Sequence, residues 1–116
     1  MEMIVHLHPE IFDIVLQGTK DVEIRVNDEK RRALKVGDTL IFVKRPGEQE
    51  KLKTTVKNLV YFSSFEEVLD AYDMERIYLE GTSHEEYLQL MKQFYSEEEV
   101  DKNGIVAIEF EQVMES

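Results

Sequence analysis

Gly18-Thr19-Lys20-Asp21-Val22-Glu23-Ile24-Arg25 is the stretch on which the fold turns. A glycine able to end a helix is followed by a lysine, and then by apolar and charged residues in alternation as far as Val26. A period of two marks a strand with one buried face and one polar face. Val22, Ile24 and Val26 make the apolar set, while Glu23 and Arg25 share the opposite side. The segment can therefore hold itself in a core and still present charges of both signs to a site.

Outward from this strand, the patterns change between helical and extended. Residues 3–7 read as a short strand, and Pro9 opens a helix whose apolar face is Ile11, Phe12, Val15 and Leu16, with Gly18 as its terminator. Downstream, Asn27 or Asp28 caps a helical turn over 29–34, and Val36-Gly37-Asp38 launches a strand at 39–44. The turn residues 45–48 join it to a long strand at 52–62 as a hairpin. Ser63 or Ser64 caps a helix from Phe65, and Ser83-His84-Glu85-Glu86 has capping-box spacing for a second. A strand at 105–113 closes the pattern. Helices sit between strands as insertions rather than as regular crossovers. The expected class is α+β: a small, mostly antiparallel sheet curled toward a barrel, with peripheral helices.

The 116 residues are expected to form one domain, 1–116, because no linker or low-complexity segment divides them. There is no cysteine, hence no disulfide, thiolate metal site or cysteine nucleophile. No apolar run reaches the length of a membrane span and the N-terminal residues read as a strand, so a cytoplasmic address and no membrane partner are expected. The net charge of −11 is lopsided. Residues 1–60 hold 11 Lys and Arg against 10 Asp and Glu, whereas residues 61–116 hold 3 against 15. So acidic a chain repels bulk nucleic acid, yet residues 20–60 alone carry 11 basic and 7 acidic side chains, which leaves a local positive patch. The run Glu97-Glu98-Glu99 reads as a solvating cluster.

Gly18-x-Lys20-x-x-Glu23-Ile24-Arg25 resembles the signature of the ASCH domain, a branch of the PUA-like superfamily. The likeness extends to Lys35-Val36-Gly37-Asp38-Thr39-Leu40-Ile41-Phe42, to Leu79-Glu80-Gly81 and to Gly104-Ile105-Val106-Ala107-Ile108-Glu109-Phe110, in the family's order. The opening His6-Leu7-His8-Pro9 and the run from Asn27 to Arg32 are similar to a bacterial subgroup of small stand-alone members. The resemblance implies a PUA-like barrel of five or six strands with a cleft at the Gly-x-Lys loop. It implies RNA, a nucleotide or a modified nucleoside as ligand; separately, no cofactor is expected. Some small members hydrolyse acylated cytidine with a lysine in this loop, a threonine three positions on and a downstream glutamate. Lys20 and Glu80 take the places of the lysine and the glutamate, but Glu23 stands where the threonine hydroxyl belongs.

Each candidate has a plain reading beside its functional one. Lys20 either faces the C-terminal dipole of the preceding helix or acts as a cleft cation, catalytic if desolvated. Glu23 and Arg25 either pair across strands or grip a phosphate or a base edge, with Glu23 as a further acid/base candidate. Glu80 is either solvated or the acid/base partner of Lys20. Lys30-Arg31-Arg32 with Lys35 is a solvated helical face, or else Arg31 and Arg32 flank the cleft and meet RNA phosphates. Tyr61 and Phe62 are core residues or a stacking platform; Tyr87, Phe94 and Tyr95 read as core or near-core. His6, His8 and His84 lack companions at metal-ligand spacing, so no metal is expected. The leading expectation is a ligand-binding module. Its rivals are an amidohydrolase or ribonuclease using Lys20 and Glu80, and a protein-interaction module built on the acidic half.

Overall fold

In the computed structural model, which describes residues 1–47 and 49–113, the chain opens with β1 (Glu2–Leu7), α1 (Pro9–Leu16), β2 (Val22–Val26) and α2 (Glu29–Arg32). It continues with β3 (Thr39–Lys44), β4 (Lys51–Phe62), α3 (Phe65–Ala71), α4 (Met74–Ile77), α5 (His84–Phe94), α6 (Glu97–Asn103) and β5 (Ile105–Gln112). Glu48, in the turn expected at 45–48, lies outside the described residues.

The strands form one sheet in the order β1-β3-β4-β5-β2. Pairing is antiparallel except between β1 and β3, and the sheet curls into a half-barrel with helices at its periphery. The expected α+β class and mostly antiparallel sheet are what the chain adopts. No helix among the described residues is long and apolar enough to cross a membrane.

Alternation along β5 divides the interior into two cores. Val106, Ile108 and Phe110 turn toward Met3, Val5, Leu40, Phe42 and the α1 residues Phe12 and Val15. Ile105 and Ala107 turn the other way, toward Val22, Ile24, Phe65, Val68, Ile77 and Tyr87. Each fully buried large apolar side chain contributes roughly 1.5–3 kcal/mol relative to exposure. Thr54, wholly buried, gives its hydroxyl hydrogen to the Leu40 carbonyl at 2.7 Å, so no unpaired hydroxyl is sealed in.

Two helices escape the sequence reading. The four-residue α4 is too short to carry a period, and the acids of the α6 segment read as a solvating cluster. In fact Ser96 accepts from the Glu99 amide and Glu99 returns a bond to the Ser96 amide, a capping box that starts α6. The same device starts α3 at Ser64 and α5 at Ser83.

Candidate functional site

The site begins where α1 stops. Gly18 takes φ +88°, and its amide and those of Thr19 and Lys20 fold back on the Val15 and Ile14 carbonyls. That reversal turns Lys20 inward, leaving it 2% exposed. Its ammonium donates to the Val22 carbonyl at 2.6 Å and to the Ile77 carbonyl at 2.8 Å, and pairs with Glu23 Oε1 at 3.0 Å. An ammonium has three donors, so none is left over. Ile77 is the last residue of α4, whose position is fixed further by Arg76 bonding Asp21 at 2.9 and 3.2 Å.

Glu23 and Arg25 lie opposite Ile108 and Val106 in the β2–β5 ladder, so both point to the same side of the sheet. Arg25 donates to Glu23 Oε2 from Nε at 3.0 Å and from Nη2 at 2.7 Å. One carboxylate is thus shared between two cations. Burial alone would raise the Glu23 pKa, but Lys20 and then Arg25 outweigh it and hold the carboxyl down at about 2. Burial draws the Lys20 ammonium below its usual value against the opposing pull of Glu23. Arg25 is pushed up: burial opposes its charge, but the Glu23 carboxylate prevails.

These three side chains border a cleft of about 360 Å³ between β2 and the end of β1. His6 and His8, with Glu10, contribute polar groups on the β1 side. Its lining is also aromatic: Tyr78, Tyr87, Phe94 and Tyr95. Tyr87 is fully buried, and burial followed by the Glu23 charge pushes its phenol upward, so it stays neutral. Phe94 is 60% exposed, which sets it at the mouth rather than in the core or near-core position expected for it.

Lys20, Glu23 and Arg25 therefore come together, and the other candidates stand elsewhere. Glu80 is exposed on the loop beyond α4 and does not border the cleft. Arg31 is half-buried beside Met3, and the exposed Arg32 reaches the Asn27 carbonyl at 3.4 Å; neither forms the cleft wall. Tyr61 is exposed away from the cleft, and Phe62 meets the Tyr72 ring edge-on at 6.1 Å. Among the described residues no group of three or more His, Cys, Asp or Glu could hold a metal ion.

The aromatic wall is what sequence reasoning missed. Apolar residues at 87, 88, 90, 91, 94 and 95 are more than one helical stripe needs, and that surplus was the available signal. As built, the site can bind a polar, planar ligand. Its lysine has no free donor, and its buried carboxylate is held ionised by two cations.

A family model of the ASCH domain matches residues 5–114. The crystal structure of a hypothetical protein, PH0355, is 37% identical with a TM-score of 0.82, covering 97% of this chain and 100% of that one. The solution NMR structure of protein PF0455 from Pyrococcus furiosus is 36% identical with a TM-score of 0.77, covering 99% and 100%. These neighbours are archaeal and lend no support to the expected bacterial subgroup. A search of curated proteins gives no match.

Proposed function

The chain belongs to the ASCH domain family, and from that premise we propose that it is a binding module holding a nucleotide, a modified nucleoside or the end of a single-stranded RNA in the cleft at Lys20, Glu23 and Arg25. One observation carries the reading: the Arg25 guanidinium, steadied by Glu23, borders the same cleft as the exposed ring of Phe94 and the half-buried ring of Tyr95. A nucleobase needs both kinds of surface, hydrogen-bonding groups for its edge and an aromatic face for its plane. A cleft of about 360 Å³ falls in the range of small-ligand sites. Lys20 acts as a positioning residue, tying Glu23 to the end of α4.

Hydrolysis has less support. Lys20 has no donor to spare, Glu23 is held ionised where the hydrolases carry a hydroxyl, and Glu80 stands outside the cleft.

Calorimetric titration of ribonucleosides, their monophosphates and short single-stranded RNA tests the reading. Phe94→Ala, at an exposed position, is expected to keep the fold and to weaken binding by roughly fivefold to a hundredfold, the worth of one stacked base. Wild-type protein that binds none of these ligands at moderate salt would end the proposal.

A further inference from the structure

The charges between Lys20 and Arg25 already answer one another. Glu23 Oε1 pairs with Lys20 and Oε2 accepts twice from Arg25, Arg25 also meets the Tyr95 hydroxyl, and Asp21 holds Arg76. What this segment leaves uncommitted is neutral backbone. β2 is an edge strand, so every second residue turns its amide and carbonyl away from β5. The phase is fixed at both ends of the ladder: the Phe110 amide donates to the Asp21 carbonyl at 3.1 Å, and the Asn27 amide to the Gly104 carbonyl at 2.9 Å. Asp21, Glu23, Arg25 and Asn27 therefore bond toward β5, and Val22, Ile24 and Val26 face outward.

Two of the three outward carbonyls are taken. That of Val22 accepts the Lys20 ammonium at 2.6 Å, and that of Val26 accepts the Asp28 amide at 2.9 Å. Ile24, between them, lines the cleft, and among the described residues neither its amide nor its carbonyl has a partner. Its side chain belongs to the second core, so its backbone pair is what it can offer a ligand. Tyr87, in the same core and 2% exposed, adds a third group. Phe65 and Tyr78 hold its ring edge-on at 6.4 and 6.0 Å. Among the described residues its hydroxyl has no hydrogen-bond partner, yet it is not sealed in, as Asn27 Oδ1 and Arg31 Nε are. It therefore opens onto the cleft that Tyr87 lines.

Resting on the cleft reading above, we propose that the ligand's base docks by its Watson–Crick edge on the Ile24 amide and carbonyl, with the Tyr87 hydroxyl donating to a further acceptor. The N–H and C=O of one strand residue point the same way, which lets them exchange two bonds with a single partner. Uracil and guanine offer a ring N–H beside a carbonyl; cytosine and adenine offer an amino group beside a ring nitrogen. Each is a matching pair, so the ligand is an unpaired base with that edge unblocked. A peptide strand fits less well. Strand addition uses successive outward residues, and here Lys20 and Asp28 hold the carbonyls on either side of Ile24.

The test titrates wild type with each ribonucleoside and with a neutral analogue whose Watson–Crick edge carries methyl groups. The analogues are 3-methyluridine, 1-methylguanosine, and cytidine and adenosine dimethylated at the amino group. Blocking is expected to weaken each base that binds by roughly tenfold to a hundredfold, whereas a 5-methyl group on either pyrimidine changes little. In hydrogen exchange followed by NMR, the Ile24 amide should exchange fast in the free protein, unlike those of Glu23 and Arg25, and slow when the nucleoside saturates. Tyr87→Phe keeps the ring and removes only the oxygen; it should melt as wild type does and bind roughly threefold to tenfold more weakly. The analogue series and the exchange measurement need no variant. Equal binding of blocked and unblocked nucleosides, or an Ile24 amide that stays fast under saturation, overturns the edge contact and spares the cleft. Unchanged affinity in Tyr87→Phe overturns the part given to the hydroxyl. Wild type that binds no nucleoside overturns the cleft reading and this one with it.

Discussion

Glu23 sits between two cations with its carboxylate almost wholly out of water, and that makes it the residue on which the site's integrity depends. Replacing it by Gln leaves Lys20 buried with an unbalanced charge, a change expected to cost about 3–5 kcal/mol in chemical denaturation at neutral pH. The acid side follows from linkage. The folded-state carboxyl titrates at about 2 against an ordinary value of 4.5, so the unfolded chain takes up the proton first. The stabilisation is therefore complete above the ordinary value and disappears as pH falls through about 2. Glu23→Gln should show a shallower loss of stability across that window than wild type; parallel curves would mean that Glu23 is not the group responsible. Period-two alternation was enough to put Glu23 and Arg25 on one face. It could not tell that Lys20 is consumed by the Ile77 carbonyl, because that bond spans 57 residues and depends on a helix with no sequence period. Nor could it separate Tyr78, which borders the cleft, from Glu80 two residues on, which does not.

Elements were legible wherever a local signal repeats. The strand at 39–44 and the capped starts at Ser64 and Ser83 could be read because alternation and capping boxes are short-range physics. Ser96 and Glu99 carry the same spacing, yet the intervening acids obscured it, although acids in a first helical turn are favourable. Helix α5 exposes the opposite limit: helical spacing groups Tyr87, Met91 and Phe94 but does not say which of them meets a core and which an open cleft. Gly104 joins α6 to β5 with φ 71° and ψ −171°, and a Cβ there would lie 3.3 Å from the Phe62 carbonyl oxygen. Its own carbonyl accepts the Asn27 amide, so the same residue steadies the approach to α2. Gly104→Ala is expected to destabilise the protein by roughly 1–3 kcal/mol in urea unfolding. An unchanged midpoint would show that the junction relaxes freely.

Charge distribution governs what the whole molecule can hold. With −11 overall and the excess in residues 61–116, long polyanions are disfavoured and a small ligand suits the cleft better. A nucleotide that binds only the folded state, supplied at about 100 times its dissociation constant, should add roughly 2.7 kcal/mol of stability and raise the melting temperature by several degrees. Thermal scans with and without the 5′-monophosphates check this; no shift under saturation would contradict the cleft reading. The sheet order carries one more consequence, for the way the molecule is made. Among the described residues the site strand β2 lies at the sheet edge and pairs with β5 alone, in a register that sets Glu23 opposite Ile108, 85 residues later. A nascent chain therefore carries Lys20, Glu23 and Arg25 without the ladder that arranges them until β5 has been made, and loop closure must precede that pairing. Ligand binding therefore reports a long-range pairing, available only once β5 has joined the strand that carries the site.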